Sequence, residues 1–276
     1  MPEGPEIKRA AERIGKAIVG RVATAVEFSF ERLQPYEAEL QSRVVDAVDA
    51  RGKAIVTRFR GTSLRIYSHN QLYGRWRTCK PGALPKTNRS LRLAIHTDHR
   101  IALLYSASDI TILHSDTEEE EHAYLNRLGP DLLAGTTTFA TVENRLTDRR
   151  FTRRRLTGLY LDQSFLSGPG NYLRSEILFV AGVHPSKRPC DLSDEERNRL
   201  AQVSLDITRR AYEQRGVTLA AEDVAELKAA GATRRQYRHY VFARSGFPCR
   251  ECGATVEKNL VGGRRIYHCP SCQPSD

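Results

Sequence analysis

The last tenth of the chain carries two Cys-x₂-Cys pairs, Cys249-Arg-Glu-Cys252 and Cys269-Pro-Ser-Cys272, separated by sixteen residues. No other feature restricts the backbone as tightly. Each pair turns two thiolates toward one point, and two pairs at this separation suit a single tetrahedral Cys₄ zinc site. With four protein ligands and no open position, one such Zn²⁺ is structural rather than catalytic. A redox dithiol needs one pair, not two. A disulfide pairing fits poorly with a chain whose other cysteines, Cys79 and Cys190, are isolated and suit a reducing compartment. The intervening GATVEKNLVGGRRIYH has a Gly-Gly turn between β-favouring residues, which predicts a hairpin. Arg264 and Arg265 fall at its tip, either as cations for DNA phosphate or as a solvated basic turn.

Charge narrows the partner. The 276 residues include 43 Lys plus Arg against 33 Asp plus Glu, a net charge of +10, with a dense run at DRRFTRRR. Such a balance fits a polyanion, nucleic acid before membrane, or else an inert basic surface. No stretch approaches the roughly 20 apolar residues of a membrane span. The first residues hold glutamates and no apolar signal core, so the expected location is cytoplasmic.

Periodicity divides the chain. Ile7, Ala10, Ala11, Ile14 and Ile18 recur at helical spacing, with Pro5 at the start and Gly20 at the stop. From Arg21 to about Leu113 the pattern is β. Val22, Thr24, Val26, Phe28 and Phe30 alternate, and Leu91, Leu93 and Ile95 precede TDHR and IALLY as a hairpin. Short strands of this kind predict a sandwich or barrel. TEEEEH reads as a solvated helix start or loop. Beyond RLGPDLL the chain turns helical. RRLTGLYLDQSFL and NYLRSEILFVAG read as two helices joined by SGPGN. Ser193 and Glu196 form a capping box before an apolar face of Leu200, Val203, Ile207 and Ala211. Residues 218–240 are basic and irregular and are expected to be mobile.

The opening MPEGPEI has chemical content. Once Met1 is trimmed, Pro2 presents a secondary amine able to attack an aldehyde-like carbon and form an iminium. An α-amino group has a reference pKa near about 8, so part of it is unprotonated at neutral pH. Glu3 is adjacent and Glu6 lies one helical turn on, either as acid–base partners or as acids favouring a helix N-terminus.

MPEGPEI, RGKA with Lys53, SHNQLYG, SGPGNYLR and the Cys₄ module occur in this order, and the set is similar to the formamidopyrimidine-DNA glycosylase and endonuclease VIII family of base-excision repair enzymes. The resemblance covers nearly the whole length and lies nearer the endonuclease VIII branch. It implies that Pro2 is the nucleophile and forms a Schiff base with the sugar carbon bearing the damaged base. Glu3 is then the acid–base partner that helps open the sugar ring, and Glu6 supports the site's hydrogen bonding. Lys53 lies against a phosphate and assists the first elimination. Arg264 contacts the lesion phosphate and serves the second. Gln71, Leu72 and Tyr73 match a loop that fills the hole left by the everted base, although spacing alone also fits a strand end with Leu72 and Tyr73 buried. Gly170 and Asn171 match a phosphate-binding turn, and Arg127 a backbone-contacting arginine or a surface ion pair. Pro169 departs from the small or aliphatic residue usual there and removes an N–H donor.

The expected fold is therefore α+β and multidomain: an N-terminal helix plus β-sandwich at 1–125, a helical helix–two-turn–helix domain at 126–240, and a zinc-ribbon hairpin at 241–276. The expected function is that of a monomeric bifunctional DNA glycosylase and AP lyase acting on oxidised pyrimidines and abasic sites in DNA by β,δ-elimination. The alternatives are the same chemistry on 8-oxoguanine or formamidopyrimidines, and a non-catalytic zinc protein that binds damaged DNA.

Overall fold

The computed structural model describes residues 2–115, 117 and 122–275. Most of TEEEEH lies outside the described residues. The chain forms two compact units, Met1–Pro2 with Glu6–Arg127, and Glu3–Pro5 with Leu128–Asp276.

In the first unit, helix α1 (Gly4–Ile18) buries Ile7, Ala10, Ala11, Ile14 and Ile18, the residues its periodicity selects. Gly20 takes a φ of 77°, the left-handed conformation that ends a helix without a Cβ penalty. Two four-stranded antiparallel sheets come next. One contains β1 (Ala25–Phe28), β5 (Arg75–Cys79), β6 (Leu91–His96) and β7 (Ile101–Tyr105), in the order β1-β6-β7-β5. The other contains β2 (Val45–Arg51), β3 (Ala54–Phe59), β4 (Arg65–His69) and β8 (Asp109–Leu113), in the order β2-β3-β4-β8. Val26, Phe28, Ile95 and Leu104 from the first sheet share one core with Ile55, Ile66 and Ile110 from the second and with the apolar face of α1. This is the sandwich that alternation predicts. The expected β6–β7 hairpin closes through Thr97, whose N–H donates to the Arg100 carbonyl at 2.9 Å.

The alternation read from Val22 to Phe30 is only half right. Val26 and Phe28 point inward, but Val22 is exposed and Ala23 takes the buried place before β1. The chain bends after Gly20, which breaks the two-residue period. Beyond β1 a 3₁₀ turn (Glu31–Tyr36) and the short helix α2 (Glu37–Leu40) interrupt the β region.

The second unit is helical: α3 (Phe139–Thr147), α4 (Leu156–Leu159), α5 (Asn171–Val180), α6 (Asp194–Glu213) and α7 (Ala221–Ala229), ending in the hairpin β9 (Glu257–Val261) and β10 (Arg264–His268). The Ser193 capping box is present in full: the Ser193 N–H donates to Glu196 Oε2 at 2.9 Å, and the Glu196 N–H donates to Ser193 Oγ at 3.1 Å. Leu200, Ile207 and Ala211 of α6 join Leu159, Phe165, Leu173 and Ile177 in the core.

Two expectations change. RRLTGLYLDQSFL forms only the four-residue α4, because the Asp162 carboxylate accepts the Ser164 N–H at 2.8 Å and the Arg154 guanidinium at 2.7 Å. Such local side-chain bonds offer the backbone an alternative to helix. Residues 218–240, read as irregular, contain α7 and are pinned at both ends by the buried carboxylate of Glu176.

Candidate active site

The second unit builds its site on the N-terminus of α5. The first N–H groups of a helix have no partner within it and carry the positive end of its dipole. Glu3, which groups with this unit and is buried, supplies the acceptor. Its Oε2 accepts the Gly170 N–H at 2.7 Å and the Leu173 N–H at 3.2 Å, and its Oε1 accepts the Tyr172 N–H at 2.8 Å. The approach is close enough to demand glycine. A Cβ on Gly170 would stand 2.5 Å from Glu3 Cδ, and one on Gly4 would stand 2.8 Å from Gly168 Cα. The Gly4 N–H also donates to the Gly168 carbonyl at 2.9 Å. Pro169 does not break the turn, because the Gln163 side chain spans it. Gln163 Oε1 accepts the Gly168 N–H at 3.1 Å, and its Nε2 donates to the Pro169 carbonyl at 2.9 Å.

Asn171 opens α5, and one turn later Arg174 is wholly buried. The Arg174 guanidinium donates to Thr157 O at 2.6 Å, Asn171 Oδ1 at 2.8 Å and Arg265 O at 2.8 Å. Burial lowers its pKa to about 10, opposed by the charge of Glu3 and aided by that of Arg264. It is a cation at neutral pH all the same. Arg264 itself is exposed at the start of β10, paired with Val261 across the Gly262-Gly263 turn. Below that hairpin, the sulfurs of Cys249, Cys252, Cys269 and Cys272 all lie within 4.8 Å of one another, with Cys249–Cys272 at 3.8 Å and Cys252–Cys269 at 3.5 Å. A tetrahedral thiolate site with metal–sulfur bonds of about 2.3 Å has edges near 3.8 Å. The four residues could therefore hold one metal ion.

A second carboxylate on α5 organises the segment beyond α6. Glu176 is buried and accepts the N–H groups of Tyr240 at 2.7 Å, Val241 at 2.9 Å and Phe242 at 2.8 Å, as well as the Thr218 hydroxyl. One side chain thus ties together the two ends of the stretch that sequence left irregular. His239, at its end, stacks on Tyr172 with ring centroids 5.3 Å apart.

The first unit holds the remaining expected residues. Pro2 is half-buried, and Glu6 lies in the first turn of α1. Lys53 sits in the β2–β3 turn, where its backbone N–H donates to the Tyr124 hydroxyl at 2.8 Å. Gln71, Leu72 and Tyr73 form a turn after β4. Leu72 is 57% and Tyr73 71% exposed, which removes the reading of a buried strand end. The turn is preset. Gln71 has a φ of 48°, its N–H donates to His69 Nδ1 at 3.0 Å, and its Oε1 accepts the Ser108 hydroxyl at 2.8 Å. Burial, with Lys53 nearby, holds the His69 pKa below its usual value against the opposing charge of Asp109, which keeps Nδ1 an acceptor. Arg127 is exposed in a turn.

Comparison with known proteins decides the family. The formamidopyrimidine-DNA glycosylase N-terminal domain matches residues 1–108, and the formamidopyrimidine-DNA glycosylase H2TH domain matches residues 128–223. This chain belongs to the formamidopyrimidine-DNA glycosylase and endonuclease VIII family. Within that family it is 44% identical over 273 residues to Endonuclease 8 of Klebsiella pneumoniae subsp. pneumoniae, covering 99% of this chain and all of the relative. Endonuclease 8 of Salmonella arizonae matches equally, at 44% over the same coverage. The family fold is also seen in Lactococcus lactis formamidopyrimidine-DNA glycosylase bound to DNA containing N7-benzyl-Fapy-dG, at a TM-score of 0.80 with 21% identity over 99% of this chain and all of that one. The same glycosylase in complex with abasic-site DNA matches at a TM-score of 0.80.

Sequence reasoning missed Gln163, Arg174, Glu176 and Tyr124. Arg174 and Glu176 signal only as charges inside an apolar helix. The bonds from Arg174 to Arg265, Glu176 to Tyr240 and Tyr124 to Lys53 span long stretches of chain, whereas Gln163 bonds residues five and six positions on.

Proposed function

We propose that this protein is a bifunctional DNA glycosylase and AP lyase of base excision repair that removes oxidised pyrimidines. Likeness to proteins named Endonuclease 8 over the whole chain supports this reading over the 8-oxoguanine and formamidopyrimidine alternative. Abasic-site DNA in a solved family member fits the lyase half. Among the described residues no helix is long and apolar enough to cross a membrane. The protein is taken as a cytoplasmic, nucleoid-associated monomer. The domains are taken as 1–125, 126–240 and 241–276.

The observation that carries this reading is the fixed carboxylate one residue from the chain's secondary amine. In the proposed reaction the Pro2 nitrogen attacks the sugar carbon, the damaged base departs, and a Schiff base joins protein to sugar. Glu3, held on the α5 N-terminus, passes the proton that opens the ring. Lys53, a compact cation, offsets a phosphate and assists the first elimination. Arg264 assists the second, and Glu6 supports the hydrogen bonding around the amine. Asn171, the Gly170 turn and Arg127 hold the strand, while Gln71, Leu72 and Tyr73 fill the vacated stack. One Zn²⁺ on Cys249, Cys252, Cys269 and Cys272 would hold the hairpin that carries Arg264.

Sodium borohydride treatment with an abasic-site oligonucleotide tests this reading. A one-to-one covalent adduct mapping to Pro2, with Met1 absent, is expected. No adduct from a protein that still binds the oligonucleotide would instead mark a non-catalytic DNA-binding zinc protein.

A further inference from the structure

We propose that Tyr124 is a positioning residue for Lys53, its hydroxyl fixing the turn from which that lysine projects. The inference rests on the proposed glycosylase and lyase activity, and every residue it uses belongs to the first unit. Lys53 stands at the tip of the β2–β3 hairpin. Arg51 pairs with Ala54, so Gly52 and Lys53 make a two-residue loop. Only the glycine of the two has a positive φ, at 59°. Glycine first in such a loop is the pattern of a type II′ turn. The Lys53 N–H lies outside the ladder there, and a half-buried backbone donor needs another partner. The Tyr124 hydroxyl accepts it at 2.8 Å, from 71 residues further along the chain.

The anchor is itself held. Tyr124 and Leu125 pack against Ala54, Val56, Tyr67 and Leu113. The Tyr124 N–H donates to His122 Nδ1 at 3.3 Å. Its ring stands edge-on to His69, with centroids 5.2 Å apart and planes at 70°. His69 lies directly across the ladder from Ala54 and accepts the Gln71 N–H. The hydroxyl therefore ties the lysine turn to the strand that leads into the turn at residues 71–73. Burial lowers the His69 pKa, Asp109 opposes that, and the Lys53 charge adds to it, so the ammonium is felt on this side of the hairpin.

Placement matters because a lysine stem is flexible, so the position of its Cα sets the space its ammonium sweeps. Charge developing on a departing phosphate is stabilised best by a cation already in place. A hairpin tip that contains glycine lets that Cα drift, and one hydrogen bond from a packed ring confines it. Phenylalanine at position 124 keeps the ring and its packing and removes the acceptor. Tyr124→Phe therefore tests the bond and little else.

The test uses the full-length, zinc-loaded protein as wild type, Tyr124→Phe, Lys53→Ala and the double variant. Single-turnover strand cleavage of a preformed abasic-site duplex and the borohydride-trapped adduct at Pro2 are followed in time, beside thermal melts. Tyr124→Phe should form the adduct at the wild-type rate and cleave about tenfold more slowly, as a small misplacement does. Its melting temperature should stay within about 4 °C of wild type, the shift of one lost hydrogen bond. Lys53→Ala should slow cleavage further. Adding Tyr124→Phe to it should change that rate by less than about twofold, because the hydroxyl acts through the ammonium that has gone. A hydroxyl that served the fold alone would cost the same factor in both backgrounds. That result, wild-type cleavage by Tyr124→Phe, or a parallel loss of adduct would each overturn the proposal. So would an unfolded Tyr124→Phe, which would make the hydroxyl an anchor of the fold. Absence of a Pro2 adduct in the wild type would sink the enzymatic reading instead, which keeps the two failures distinct.

Discussion

Glu3 Oε1 accepts the backbone N–H of Tyr172 at 2.8 Å, joining residues 169 apart in sequence. The residue after the prolyl amine is thereby fastened to a helix terminus that stabilises negative charge. Replacing Glu3 by Gln keeps the shape but puts an NH₂ group among N–H donors. We expect base excision to fall about 100-fold or more, as loss of a general acid–base group does. The mismatch of donors should cost about 1–3 kcal/mol of stability. Single-turnover excision on a thymine glycol duplex and a thermal melt check the two effects.

Gly170→Ala probes the same contact without touching charge. Its methyl would stand 2.5 Å from Glu3 Cδ, so either Glu3 or the turn must shift. A loss of about 1–3 kcal/mol is expected, as for other overpacked sites. Excision should fall beyond what the lost stability explains, and urea unfolding beside excision kinetics separates the two.

The exposed pair Leu72 and Tyr73 should matter to substrate and not to fold. Replacing both by Ala should leave stability within about 0.5 kcal/mol, as surface changes do. Excision of a paired lesion in duplex should slow at least tenfold, while cleavage of a single-stranded abasic site changes little because no stack needs filling. Equal loss on both substrates would contradict the void-filling role.

Glu176 accepts three backbone N–H groups at 2.7–2.9 Å together with the Thr218 hydroxyl. Glu176→Ala leaves those donors buried and unpaired, at about 1–3 kcal/mol each before relaxation. Hydrogen exchange should rise across residues 218–242 far more than across α3 or the sandwich. Uniform exchange would show that the carboxylate does not clamp this stretch.

Acid should weaken the protein partly through His239. Burial pushes its pKa down to about 4, so the folded chain resists a proton that the unfolded chain accepts near pH 6.5. Stability is complete above the unfolded value and falls as pH drops from about 6.5 toward about 4, by up to roughly 3 kcal/mol. His239→Gln should flatten that part of the melting-temperature profile between pH 7 and pH 4.5.

Local chemistry was legible in the sequence. The period of Ile7 to Ile18, the Ser193–Glu196 box, the TDHR turn and the paired cysteines each depend on residues a few positions apart, where spacing alone dictates geometry. The order of motifs also pointed to the family. What only the tertiary structure decided is which polar groups meet. Nothing near Glu3 announces the N–H groups of residues 170–173, and nothing near Arg174 announces the Arg265 carbonyl. A buried charge takes its partners from whichever backbone the fold brings within reach, and a one-dimensional pattern carries no record of that. Leu72 and Tyr73 make the same point from the surface: apolar side chains usually signal burial, and only the fold shows these two left in water.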